Sequence, residues 1–199
     1  AWVAFHAATG GAKTWSQCAT MGTDPCSCKP YGKFPVCNDD GDSVVQLYLY
    51  QVGLQGVLPP EIGAWSDLKS VQLSGNRLTG ELPSEMGNWT QLEEFYAYNN
   101  ALSGSVPVSV AQWTHLRVFV VFNNALTGSL PSGLGPGWEQ LQVFNVDLNR
   151  LTGRLPSLPF AALEQCDLLN HPHGGANAFA CPWPENVTAV CRKMAQNDR

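Results

Sequence analysis

One pattern of 24 or 25 residues is written five times along this chain, and it limits the possible folds more than any single motif does. Copies open at Val44, Leu68, Leu92, Leu116 and Leu141. The first, VVQLYLYQVGLQGVLP, is loose. LKSVQLSGNRLTGELP, LEEFYAYNNALSGSVP, LRVFVVFNNALTGSLP and LQVFNVDLNRLTGRLP resemble one another closely, and a worn sixth copy, LEQCDLLNH, starts at Leu163. The shared form is L-x-x-L-x-L-x-x-N-x-L-x-G-x-L-P, and its fixed positions have physical reasons. The first six or seven residues alternate with the period of a strand. One unit cannot bury its leucines alone, so neighbours must stack into a continuous core, which makes a solenoid. Asn76, Asn100, Asn124 and Asn149 recur where the chain leaves the strand. A buried amide at that point can bond the backbone of adjacent turns and form a ladder. Gly80, Gly104, Gly128 and Gly153 allow a tight bend, and Pro83, Pro107, Pro131 and Pro156 fix the extended stretch after it.

Composition supplies exclusions. A chain that is 44% hydrophobic has enough apolar surface to fold. A net charge of −5 with only 11 basic residues leaves no basic stripe to neutralise phosphates, so nucleic acid is not an expected partner. No apolar run approaches the ~20 residues that cross a bilayer. The 19 Gly and 14 Pro belong largely to the repeated turn and describe scaffold alone.

The units resemble leucine-rich repeats of the plant-specific class, whose hallmark is L-x-G-x-[LIV]-P followed by a short helical turn. That class is found in plant receptor-kinase ectodomains, polygalacturonase-inhibiting proteins and protist surface proteins. The resemblance implies an α/β repeat solenoid, curved, with a parallel β-sheet on the concave face and a 3-10 or irregular convex side. It also implies disulfide-bearing caps at both ends. The chain divides accordingly into an N-terminal cap (1–43), the repeats (44–171), and a C-terminal cap with the start of a polar tail (172–199), all in one structural domain.

The N-terminal segment AWVAFHAATGGAKTW has Trp2 and Phe5 at helical spacing and loses the pattern at Gly10 and Gly11. DPCSCKPYGKFPVCNDDGDSVVQLYL then resembles the family's N-terminal cap, and NAFACPWPENVTAVC its C-terminal cap. Cys18, Cys26, Cys28 and Cys37 are expected to pair among themselves in one of three ways, and Cys181 with Cys191. Cys166 takes the inward position of the last strand and reads as a buried free thiol. A zinc site built from Cys166, His171, His173 and Cys181 lacks the tight spacing of structural zinc motifs, and no metal or cofactor is expected. His171 and His173 fall where the worn repeat should carry its ladder Asn and the following Leu. Cap disulfides and two sequons, at Asn88 and Asn186, point to a secreted or surface-displayed glycoprotein. The polar end RKMAQNDR looks like the start of a spacer, with an anchor possible beyond Arg199.

Trp65, Trp89, Trp113 and Trp138 recur three residues before the next opening leucine. Their phase puts them on the returning, convex side, where they should fill the core between turns.

The outward positions of the strands carry the informative chemistry. Tyr48, Tyr50, Tyr96, Tyr98, Val118, Val120, Phe122 and Asp147 should lie on the concave face, with Glu93, Glu94, Glu164 and Asp167 making the neighbourhood acidic. Sheets favour such residues in any case, but a contiguous aromatic patch on a solvated face suits a protein interface. The expected function is therefore that of an extracellular protein-binding module of adhesion or receptor type, a monomer that docks a protein or peptide on this face. A secreted inhibitor of a foreign enzyme and a carbohydrate-binding surface protein are the alternatives, although the acidic rim works against anionic sugars. No enzyme is expected: no nucleophile elbow, HExxH helix or phosphate-cradling loop appears. Asp147 and Asp167 read as solvated acidic surface on an open sheet.

Overall fold

A computed structural model describes residues 1–11, 25–27, 35–159, 163–168 and 177–180. The alternation at the head of each unit becomes a short strand, and stacking the units makes these strands parallel neighbours. Val44–Tyr48 (β2), Ser70–Gln72 (β4), Glu94–Tyr96 (β6), Val118–Val120 (β8), Val143–Asn145 (β10) and Gln165–Asp167 (β12) form the concave sheet in that order. Pro35–Cys37 (β1) closes one edge by pairing antiparallel with β2. The second half of each unit, through the L-x-G turn, adds a second sheet of Gln55–Val57 (β3), Arg77–Gly80 (β5), Ala101–Gly104 (β7), Ala125–Ser129 (β9), Arg150–Gly153 (β11) and Ala178–Phe179 (β13). The convex return is made of 3-10 turns at Pro60–Ala64, Ser84–Asn88 and Val108–Gln112, and of a one-turn helix at Leu134–Gly137.

In the concave sheet register, Leu47, Val71, Phe95, Phe119, Phe144 and Cys166 face one another in a single inward row. Phe95, Phe119 and Phe144 stack, with centroids 5.8 and 5.9 Å apart. The next inward row reads Leu49, Leu73, Ala97, Val121, Val146 and Leu168, all buried. Where the first row grows to Phe the second shrinks to Ala or Val, so each layer keeps its volume and stays packed.

Two ladders tie the layers together. Asn124 accepts a hydrogen bond from the Leu102 amide at 3.0 Å and donates to the Ala97 and Val121 carbonyls, each at 3.0 Å. Asn76, Asn100 and Asn149 repeat the arrangement. Asn177 extends it: its side chain accepts from Leu151 N and donates to Val146 and Leu168 O. This corrects the phase assigned to the worn repeat, since the ladder position belongs to Asn177. The step from Asn149 is 28 residues, longer than the steps before it, and a fixed period therefore lands short. His171 and His173 lie outside the described residues.

The second ladder is tryptophan. Trp89, Trp113 and Trp138 are almost wholly buried, as their phase predicts, and Trp65 is 8% exposed. Trp89 Nε1 donates to the Ile62 carbonyl, Trp113 to Met86 and Trp138 to Val110, at 2.8 to 3.0 Å. Each of those carbonyls also accepts the backbone amide of its own repeat's tryptophan. A leucine there would fill the space but leave a buried lone pair unused, so the indole N–H links one repeat to the next.

At the N-terminal end, Trp2–Ala8 forms a short helix, α1, whose Phe5 meets Trp65 edge-on at 5.4 Å and covers the first repeat. Cys26 is bonded to Cys37, one of the pairings open to the N-terminal set, which fastens the Pro25–Ser27 turn to β1. Cys18 and Cys28 lie outside the described residues, as does the expected Cys181–Cys191 pair. Cys166 corrects a further expectation. It is disulfide-bonded, not a free thiol, and its sulfur is not available as a metal ligand. A half-cystine and a free thiol are equally at home in an inward strand position, so burial alone does not separate them. No described helix is long and apolar enough to cross a membrane.

Candidate ligand-binding face

The outward positions of the concave strands align in three rows. Gln46, Ser70, Glu94, Val118, Val143 and Gln165 form the first, and Tyr48, Gln72, Tyr96, Val120, Asn145 and Asp167 the second. Tyr50, Ser74, Tyr98, Phe122 and Asp147 follow two residues on. Parallel register fixes these rows, so residues far apart in sequence become neighbours on one surface.

At the centre, Tyr98 and Phe122 stack with centroids 4.7 Å apart and planes 7° from parallel. Beside them Asn123 Nδ2 donates to Asn99 Oδ1 at 2.9 Å. Both asparagines sit in the left-handed region, at φ 53 and 55°, where asparagine is tolerated. The tyrosines sense one another. Burial, then the Glu94 carboxylate, then Tyr98 and Tyr48 push the Tyr96 phenol above its ordinary value. Burial and Tyr50 do the same for Tyr98. Tyr50 reaches over Gly75, and a Cβ on that glycine would stand 3.4 Å from Tyr50 Cε2 and 2.6 Å from Gln51 Cγ. With φ at +69°, only glycine fits there without strain.

Six of the eight residues expected on the face, Tyr48, Tyr50, Tyr96, Tyr98, Val118 and Phe122, are partly exposed. Two are not. Val120 is 7% exposed and belongs to the floor of the patch. Asp147 is 6% exposed, and its Oδ1 accepts the Leu148 amide at 2.7 Å, so it is a backbone-holding group and not solvated acidic surface. The need for it is local: Leu148 has φ 50°, a conformation an aliphatic residue adopts only under constraint. Asp167 Oδ2 accepts from Asn145 Nδ2 and Gln165 Nε2, both at 2.9 Å, and Asn145, not Asp147, is its neighbour in register. Arg117 and Glu93 form an exposed ion pair of 3.9 Å at the rim. The sixth position of that third row, Leu169, lies outside the described residues.

The repeat geometry has counterparts among known proteins. A family model for the leucine-rich repeat matches residues 67–89. The BIR2 ectodomain from Arabidopsis thaliana shares 30% identity at a TM-score of 0.63, over 76% of this chain and 80% of that one. The chain is a leucine-rich-repeat protein of the plant-specific class. The complex of PEPR1 with AtPEP1 superimposes with a TM-score of 0.76 at 26% identity, over 94% of this chain. The plant peptide hormone receptor RGFR1 in complex with RGF2 gives 0.65 at 27% identity, over 75% of this chain. This chain spans 25% and 23% of those two chains. No curated protein sequence matches it. What sets this leucine-rich-repeat chain apart from a plain repeat array is the pair of ladders behind its sheet and the aromatic cluster in front.

Proposed function

We propose that this chain is a ligand-binding module of receptor type, secreted or surface-displayed, which docks a peptide or protein on its concave face around Tyr96, Tyr98 and Phe122. The observation that carries the proposal is the stacked Tyr98–Phe122 pair, partly exposed at the centre of the concave sheet. Aromatic side chains contribute most per residue to protein interfaces, and they lose little rotamer freedom on binding. The plant peptide hormone receptor RGFR1, solved in complex with RGF2, shares the fold and supports a peptide as the ligand class, and PEPR1 is likewise solved with AtPEP1. The convex side suits a different purpose. Asn88 and Thr90 of the first sequon are exposed at the end of a 3-10 turn while Trp89 between them is buried, so a glycan at Asn88 would leave the aromatic face clear. Asn186 lies outside the described residues. The disulfides at Cys26–Cys37 and Cys166 suit an oxidising compartment.

The test is to pan a displayed library of random peptides over the protein and over a Tyr96→Ala, Tyr98→Ala, Phe122→Ala variant. Peptides enriched on the wild type and lost on the folded variant are the expected result. Enrichment that is equal on both, or absent from both, would count against the concave face as the docking surface.

A further inference from the structure

The outward rows of the six concave strands contain no Lys or Arg. Their ionisable acids are Glu94, Asp147 and Asp167, and Asp147 is buried beneath the Leu148 amide it holds. Glu94 and Asp167 are partly exposed, and neutral donors hold each in place. Ser70 Oγ donates to Glu94 Oε2 at 2.9 Å, and Asn145 and Gln165 donate to Asp167 Oδ2. Among the described residues neither has a cationic partner: the ion pair there joins Arg117 to Glu93 at the rim. Lys69 and Arg117 stand one position ahead of the outward rows. Among the described residues, the face therefore presents two oriented carboxylates with no cationic partner.

Between these carboxylates lie the strands of Val118 and Val143, with Tyr96, Tyr98 and Phe122 alongside. Glu94 and Asp167 are three strands apart and one outward row apart. At about 4.8 Å per strand and about 6.7 Å per row, they are separated by roughly 16 Å on the diagonal. An extended chain covers that distance in four to five residues at ~3.4 Å each.

Resting on the reading that the concave face binds a peptide, we propose that its ligand is an extended peptide with two basic side chains four residues apart, an even separation that turns both to the same face. One pairs with Glu94 and the other with Asp167, and an apolar or aromatic segment between them lies on the Val118–Phe122 strip. Charge complementarity decides the choice of occupant. A second copy of this chain would bring carboxylates against carboxylates, whereas a basic peptide satisfies both. Fixed acceptors need no rearrangement to receive it.

The test uses synthetic peptides carrying two lysines at separations of two to seven residues around apolar and aromatic residues. Their binding is measured by fluorescence anisotropy at low and raised salt. The proposal expects tightest binding at a separation of four, weaker binding at the odd separations of three and five, and weakening with salt. It also expects a loss of about tenfold with Glu94→Gln and again with Asp167→Asn. Binding that ignores lysine separation, or that survives both substitutions, overturns it. If library-selected peptides need Tyr96, Tyr98 and Phe122 yet carry no basic pair, this inference fails and the docking face stands. If no peptide depends on those aromatics, the docking face itself is wrong. Association of the protein with itself through the same face, seen by sedimentation at rising concentration and lost in the aromatic variant, would also overturn the peptide assignment.

Discussion

The two sides of the concave sheet follow opposite rules. Behind it, the same residue type recurs at each layer: Asn76, Asn100, Asn124, Asn149 and Asn177 in one ladder, Trp89, Trp113 and Trp138 in the other. In front, the aligned positions change at every step, from Tyr48 through Gln72, Tyr96, Val120 and Asn145 to Asp167. Repetition behind satisfies identical backbone groups turn after turn. Variation in front is freer to follow a partner, because only Gln72, Asn145 and Asp147 among these outward side chains accept a backbone amide, each within its own turn. The difference teaches where to look for function in a repeat protein: at the positions that refuse to repeat.

The largest effects should come from breaking the rear side. Trp113→Ala removes a fully buried ring stacked between Trp89 and Trp138 and frees a lone pair of the Met86 carbonyl. The expected loss is about 3–5 kcal/mol, measured by denaturant melts. An unchanged midpoint would mean that the ring fills no essential space. Asn124→Ala leaves the Leu102 amide and two carbonyls without their partner and should cost on the order of 3 kcal/mol by the same measurement.

Substitutions in front should cost less stability. Tyr98→Ala gives up a stacked pair worth about 0.5–1.5 kcal/mol beyond area, so a drop as large as that of Trp113→Ala would erase the distinction between the two sides. Leu148→Asn sharpens the comparison from the other direction. Asn99 and Asn123 already occupy the same left-handed register, so asparagine at 148 should gain about 1 kcal/mol by relieving an aliphatic residue at φ 50°. The smallest effect is electrostatic. Spectrophotometric titration should find Tyr96 and Tyr98 ionising above the ordinary phenol range, and Glu94→Gln should lower the Tyr96 value by removing a neighbouring negative charge. A raised acid pKa keeps the neutral form favoured in the folded state. Its contribution is complete below the unfolded value of about 10 and is lost as pH rises through the folded values.

Much of this architecture was legible in the sequence because its cause is periodic. The strand alternation, the ladder asparagines up to Asn149 and the convex tryptophans are each set by a residue type at a fixed phase. What escaped the sequence depended on something other than phase. Asn177 lies beyond a longer step, so a constant period cannot find it. The exchange of volume between Phe95, Phe119 and Phe144 and their partners Ala97, Val121 and Val146 shows only when two inward rows are compared across layers. Asp147 occupies an outward position and is nonetheless buried, because strain at Leu148 draws its carboxylate to the backbone. Cys166 is bonded to a sulfur that spacing could not name. On the front face, alternation placed the tyrosines correctly, but the Tyr98–Phe122 stack follows from register between strands 24 residues apart in sequence.

The central claim is that fold and binding are carried by opposite sides of one sheet. Its most direct test is to measure, for a Tyr96→Ala, Tyr98→Ala, Phe122→Ala variant, both the melting midpoint and the retention of peptides selected on the wild type. The account predicts a cooperative melt only modestly lowered, with peptide retention abolished. Retention at the wild-type level by a folded variant would contradict it.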